Sequence, residues 1–298
     1  MTLPHNLRGI VSMVLAMGVF IASDSCMKLA LADAPLFQLI FMRGYAAVTI
    51  GLVMIVAMGQ ARDIPKMFHP LLIARGLCEV VANFSFTFAI IHMAIADVTA
   101  ITQTCPLFVL IGARLIWGER LGPVRIFLIL LGITGALLVA QPGASAASGF
   151  AALGFVTAIA AATRDLLTRK VPQEMPGLVA ALAVITVLTL AGGIGMAAFE
   201  TPVVPDFRHV WLMILSGALI IAGQFFVFMA YRIGPAQSVA PFMYTLTIWA
   251  VLSGIILFND IPNLLAIAGM GLVALAGMLI IYVDGRQRRI GNAAAAAA

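Results

Sequence analysis

A chain of 298 residues that is 63% hydrophobic and only 10% charged does not read as a soluble domain, where about 45–50% apolar and about 25% charged residues are usual. With a mean hydropathy of +1.11, it reads as an all-α polytopic membrane protein whose first partner is the lipid bilayer. The net charge of +5 is spread over short segments between apolar runs, not gathered into one basic stripe, which excludes nucleic acid.

A helix that crosses a bilayer needs about 20 predominantly apolar residues. In chain order such windows predict ten transmembrane helices, over 8–31, 36–58, 70–92, 97–117, 122–140, 149–169, 177–199, 209–232, 237–258 and 263–283. Helix one has no small-residue cleavage site after it and is expected to be retained. It carries Asp24 and Lys28, an acid and a base four residues apart, a spacing that predicts a pair on one face. Arg75 and Glu79 repeat the spacing on helix three, and Asp165 and Arg169 on helix six. A salt bridge or interfacial snorkelling suffices for Arg43 on helix two and Asp97 on helix four.

The uncharged polar residues concentrate on four helices. Helix three has Asn83, Ser85 and Thr87; helix four has Thr99, Thr102, Gln103 and Pro106 on one face; helix eight has Gln224; helix nine has Pro241, Tyr244, Thr245 and Trp249. Helices two, five, seven and ten are blander and are expected to face lipid. The polar ones are expected to enclose a central cavity lined by Asn83, Thr87, Thr99, Gln103, Gln224, Tyr244, Thr245 and Trp249. Pro106 and Pro241 break helical hydrogen bonds, and the freed carbonyls are tolerated in a membrane only beside water or protein. Small residues on helices five and ten (Gly132, Gly135, Ala136, Gly269, Ala276, Gly277) suit close packing within a monomer or a weak homodimer contact.

Arg8, Arg62, Lys66, Arg120, Arg125, Arg169, Lys170, Arg232, Arg286, Arg288 and Arg289 fall on one side of this arrangement, against Arg208 on the other. The positive-inside rule then predicts both termini, including the tail 284–298 with its final alanines, in the cytoplasm of a bacterial inner membrane.

The constant offset that lays Asp24 on Asp165 brings other uncommon residues into register: Lys28 on Arg169, Asp33 and Pro35 on Glu174 and Pro176, Gly76 on Gly217, Asn83 on Gln224, Glu119 on Asp260. The ten windows split into two fives, 8–140 and 149–283. A unit with an odd number of spans enters the membrane from opposite sides in its two copies, so the fold expected is two inverted five-helix repeats around a central cavity.

"TQTCPLFVLIGARLIWGERLG" (102–122), with Pro106 and the "WGER" turn at 117–120, resembles the EamA type of the drug/metabolite transporter superfamily. The second half departs from that pattern: "TLTIWAVLSGIILFNDI" (245–261) has Thr247 in the place of the proline and Asp260 in the place of the glutamate. The resemblance implies a secondary active transporter working by alternating access. Its YddG-like branch implies export of aromatic amino acids or related metabolites. Carriers of nucleotide sugars, sugar phosphates or drug-like cations share the fold, and a passive facilitator or channel is the other alternative.

The residues bear on that choice. Amides, hydroxyls, a phenol and an indole suit an uncharged or zwitterionic ligand, and no Lys or Arg cluster at mid-depth is foreseen for a phosphate. The pairs Asp24/Lys28, Arg75/Glu79 and Asp165/Arg169 are read as gates or structural anchors, and Glu119 and Asp260 as turn anchors. There is no G-x-x-x-x-G-K-[ST] loop, no H-E-x-x-H and no C-x-x-C, so neither an enzyme, a cofactor nor a metal is expected. Energy would come from a gradient of substrate or, through proton coupling, of protons. Cys26, Cys78 and Cys105 are odd in number and lie in apolar runs, which argues against disulfides.

Overall fold

The computed structural model describes residues 5–118, 122–140, 149–168, 170–172, 174–233 and 240–297. All regular structure among them is helical: α1 (His5–Ala30), α2 (Leu36–Ala57), α3 (Pro70–His92), α4 (Ile95–Thr102), α5 (Cys105–Trp117), α6 (Pro123–Ala140), α7 (Ala151–Thr168), α8 (Gly177–Phe199), α9 (Phe207–Ile233), α10 (Thr245–Phe258) and α11 (Leu264–Ala297). Two 3-10 segments, Ala61–Phe68 and Ala240–Tyr244, complete the set. Seven helical stretches are long and apolar enough to cross a membrane: Leu7–Ala30, Leu36–Ala57, Pro70–His92, Ile95–Ile116, Ala151–Thr168, Gly177–Phe199 and Phe207–Val227. The shorter apolar helices Ile126–Val139, Phe242–Phe258 and Leu264–Leu279 occupy the three remaining windows.

Two windows differ in their interior. Helix four, read as one window over 97–117 with Pro106 as a helix breaker, stops at Thr102 and restarts at Cys105, with Pro106 in the first turn of α5. A proline has no N–H to give, and its ring does not tolerate a helical carbonyl four residues back, so it opens a helix far more readily than it continues one. Hydroxyls take up nearby carbonyls: Thr104 Oγ1 donates to Ile101 O at 2.6 Å and Thr102 Oγ1 to Thr99 O at 2.8 Å. Helix nine enters through the 3-10 turn containing Pro241 before α10 begins, and Thr245 Oγ1 donates to Phe242 O at 2.6 Å. At the far end α11 runs past residue 283 to Ala297, consistent with the high helix propensity of alanine.

The helices pack mostly across the two halves of the sequence: α1 on α9, α3 on α7, α2 on α8 and α6 on α11. Helices two and seven therefore do more than face lipid. Their contact buries Leu39, Ile40 and Ala47 against Ile185 and Leu188, and α2 carries the buried Arg43.

Close helix approach is set by glycines, and the contacts repeat. A methyl group at Gly76 of α3 would meet Val187 of α8, and one at Gly217 of α9 would meet Ala46 of α2. The offset that lays Asp24 on Asp165 turns the first pair into the second. The same operation relates Gly51 facing Leu182 to Gly192 facing Phe41, and Gly132 facing Ala276 to Gly135 facing Val273.

At Gly217 the added carbon would lie 2.8 Å from the carbonyl oxygen of Arg43 and 2.9 Å from Ala47 N, whereas Gly271 of α11 has nothing within 4 Å. Backbone cannot step aside as a side-chain tip can. Gly217→Val is expected to cost about 1–3 kcal/mol, and Gly271→Val to stay within about 0.5 kcal/mol. Unfolding of the detergent-purified protein measures both.

Candidate functional site

An ionised side chain inside a span is expensive unless it meets a partner or water. Arg43, 2% exposed, shows how the chain handles this. Its Nη1 lies 3.5 Å from Asp24 Oδ1 of α1, and its Nη2 donates to Asn83 Oδ1 of α3 at 3.3 Å. Thr87 Oγ1, one turn along α3, donates to the same Asn83 oxygen at 3.5 Å. One turn the other way stands Glu79, which accepts from Arg164 Nη1 of α7 at 2.6 Å. Arg164 Nε also donates to its neighbour Asp165 at 2.9 Å, and Cys105 Sγ of α5 approaches Asp165 Oδ2 at 3.8 Å. Charges of both signs thus form a band through α1, α2, α3 and α7, with the Cys105 thiol of α5 at its end. It is sealed at one end and wetted at the other: the Arg43 side chain is 3% exposed, that of Asp165 44%.

A second cluster lies toward the end of the bundle that carries the α1–α2 loop. Lys28 Nζ of α1 reaches Asp260 Oδ2 beyond α10 at 3.3 Å and donates to Met93 O at 3.1 Å, with the ring of Phe258 4.7 Å away. Nearby, α1 is stapled to α10 by Ser25 Oγ and Ser253 Oγ at 2.6 Å, and to α9 by Ser23 Oγ and Ser216 Oγ at 2.8 Å. On the same side Glu200 caps α2 by accepting from Phe37 N and Gln38 N at 2.9 and 3.0 Å.

The pairs expected within single helices are replaced by pairs between helices. Asp24 turns to Arg43 and Lys28 to Asp260, because a cation buried on a neighbouring helix has no water to fall back on. Glu79 turns to Arg164 and leaves Arg75, whose Nε is buried without a hydrogen-bond partner. Asp165 is engaged by Arg164; Arg169, its expected partner, lies outside the described residues, as does Glu119. Arg43, Arg75 and Arg164 all stand within apolar spans, and Arg43 and Arg164 are not among the expected site residues. The signal for Arg164 is its place beside Asp165 inside an apolar window.

The expected cavity liners separate into groups. Asn83 and Thr87 belong to the charged band. Gln103 follows the end of α4 and donates to Met243 O at 3.3 Å. Thr99 and Tyr244 are buried, both with hydroxyls lacking a partner, and the Tyr244 ring lies against Gly277. Trp249 is a staple: its Nε1 donates to Val14 O at 3.1 Å and its indole covers Gly18. Thr245 is spent on the turn before α10, and Gln224 sits on an exposed face of α9. An apolar groove of about 330 Å³ lies between α5 and α7, lined by Phe108, Gly112, Ile159 and Leu166 with Lys170 at its end. Among the described residues no His, Cys, Asp and Glu side chains gather as a metal site.

Removing one member of the sealed pair leaves the other charged and buried. Asp24→Ala is expected to lower stability by about 3–5 kcal/mol, and Asp24→Ala with Arg43→Met to recover most of that loss. Thermal unfolding of the two variants checks this.

Residues 7–141 match the EamA-like transporter family. A riboflavin transporter of Rhizobium johnstonii is 29% identical over 191 residues, covering 64% of this chain and 63% of that protein, so the chain spans under two thirds of that relative. A pseudopaline exporter of Pseudomonas aeruginosa is 26% identical over 275 residues, 90% of this chain and 94% of its own. An S-adenosylmethionine uptake transporter of Rickettsia prowazekii is 23% identical, with 83% of each chain covered. A solved crystal structure shares the fold, with a TM-score of 0.62 at 15% identity over 95% of this chain and 98% of that one. Over residues 7–141 the chain is thus similar to the EamA-like transporter family, and the relatives it resembles are named as transporters.

Proposed function

We propose that the protein is a secondary active transporter that exports amino acids, aromatic ones favoured, or related small zwitterionic metabolites by alternating access. In this reading two inverted five-helix halves, 8–140 and 149–283, rock about a central site in a bacterial inner membrane, with both termini in the cytoplasm. The observation that carries the substrate class is the band itself. Carboxylates and guanidinium groups alternate across four helices, and its wetted end offers both signs within one or two side-chain lengths. A ligand with an ammonium and a carboxylate meets both; a phosphate would face Glu79 and Asp165 as well as the arginines.

Alternating access is supported by the paired glycine contacts, in which one constant offset along the chain converts one helix interface into another. It is supported too by breaks in helices four and nine at corresponding places, since discontinuous helices near the midplane are where such transporters hold their cargo. Export is supported by the full-length similarity to a protein named an exporter, although other relatives are named for uptake. The driving gradient, of substrate or of protons, is separated by the assay that follows.

Reconstituted protein is expected to catalyse saturable counterflow of labelled phenylalanine, stimulated by unlabelled phenylalanine inside the vesicles and inhibited by tyrosine. An imposed pH gradient that accelerates it would assign proton coupling. Linear, unsaturated flux would instead favour a channel or facilitator, and transport of sugar phosphates without amino acids would overturn the substrate class.

A further inference from the structure

Of Arg43, Arg75 and Arg164, Arg75 alone has no ion pair or hydrogen bond among the described residues. Its natural helical neighbour, Glu79, is held by Arg164 Nη1 at 2.6 Å, and the remaining side of Arg164 is taken by Asp165 at 2.9 Å. Arg164 acts on Arg75 electrostatically as a like charge, while Asp165 and Glu79 act on it in the opposite sense. Two cations are thus brought together across the α3–α7 contact; of the two, only Arg164 donates to the carboxylates, and the Asp165 side chain keeps 44% of its surface exposed.

This place has a counterpart in the other half. The offset that lays Asp24 on Asp165 also lays Ser23 on Arg164 and Arg75 on Ser216. Those two serines close the α1–α9 contact completely. Ser23 Oγ donates to Ser216 O at 3.0 Å, Ser216 Oγ donates back to Ser23 O at 2.9 Å, and both residues are fully buried. Next to them Ser25 and Ser253 are hydrogen-bonded, where the other half has Leu166 and Gly112 lining the open groove. One interface is zipped shut by small hydroxyls. Its twin carries two large cations, one of them with its Nε buried and unpartnered, beside carboxylates that solvent reaches. A buried donor with no acceptor is costly, and its persistence at a wetted seam calls for a ligand that supplies the acceptor.

We infer that Arg75 is the anion anchor of the transport site, receiving the carboxylate of a zwitterionic substrate between α3 and α7 while Asp165 receives its ammonium. The inference rests on the transport reading above and adds the residue that would hold one end of the cargo. Arginine suits the task because its planar fork matches a carboxylate with two parallel hydrogen bonds. Arg164 serves as a positioning residue: it fixes Glu79 and Asp165 and adds positive potential without offering a free donor face.

The test uses the full chain, purified in detergent and also reconstituted. Phenylalanine and phenylalaninamide, which lacks the carboxylate, are titrated by thermal shift against wild type and Arg75→Gln. Wild type is expected to prefer phenylalanine over the amide, and Arg75→Gln to bind phenylalanine about 10- to 100-fold more weakly, the range for a charged hydrogen bond, with the amide affected little. A purely structural arginine would shift the unfolding temperature without touching that preference. Counterflow by wild type together with unchanged affinity in Arg75→Gln overturns the anchor and leaves the transport reading standing. No binding and no counterflow by wild type overturns the transport reading, and the anchor with it. Should Arg75→Gln fail to fold, Arg75→Lys carries the test: it keeps the charge but loses the fork, so a reduced preference for the carboxylate supports the anchor and an undiminished one refutes it.

Discussion

The pairing of Arg43 with Asp24 governs much else in this bundle. A guanidinium 2% exposed within an apolar slab cannot exchange its partner for water, so α1, α2 and α3 must hold Asp24 and Asn83 where Arg43 can reach them. The gain in Coulomb energy in such surroundings is offset by desolvation, and the net contribution to stability is small. What the pairing supplies is registration. Sliding α2 by one turn relative to α1 would leave two buried charges apart, and few other arrangements of these helices avoid that penalty.

From that fixed point the polar chemistry runs outward in one direction. Asn83 and Thr87 continue it on α3, and Glu79 passes it to α7 through Arg164. The opposite direction, from α1 toward α9 and α10, is closed by serine–serine contacts and the Trp249 indole over Gly18. The two halves agree in backbone contacts and differ in what their side chains do at them. Glycines that recur at the same offset keep the interfaces equivalent, so a substitution such as serine for arginine at matched places changes chemistry without changing packing.

Much of this was legible in the sequence because hydrophobicity along the chain and hydrophobicity across a bilayer are the same quantity. Among the described residues the apolar windows fall on helical stretches, apart from the breaks in helices four and nine and the run of α11 past residue 283. Pro106 announces a disturbance in helix four, which stops at Thr102 and restarts at Cys105. The break follows from the missing N–H of a proline and the demand its ring makes on the preceding turn. Asn83 and Thr87 stand out as site candidates because polar groups in a span need a reason. Trp249 and Thr245 stand out on the same ground, yet they are spent on the carbonyls of Val14 and Phe242. A donor in an apolar run signals that an acceptor exists, and says nothing of whether it is a ligand or a backbone.

By itself, then, the sequence determined the membrane class, the order and rough extent of the spans, the constant offset between the halves and the family likeness at 102–122. These depend on composition and spacing along one chain, which folding does not alter. The choice of partners was decided only by tertiary structure. Asp24 and Lys28 sit four residues apart and look like a pair, yet each finds its partner on another helix or just beyond one, at Arg43 and Asp260. A same-helix ion pair contributes only about half a kcal/mol even when well placed, whereas a buried arginine left alone on the adjoining helix costs several. The larger penalty wins, and it becomes visible only once the helices are side by side.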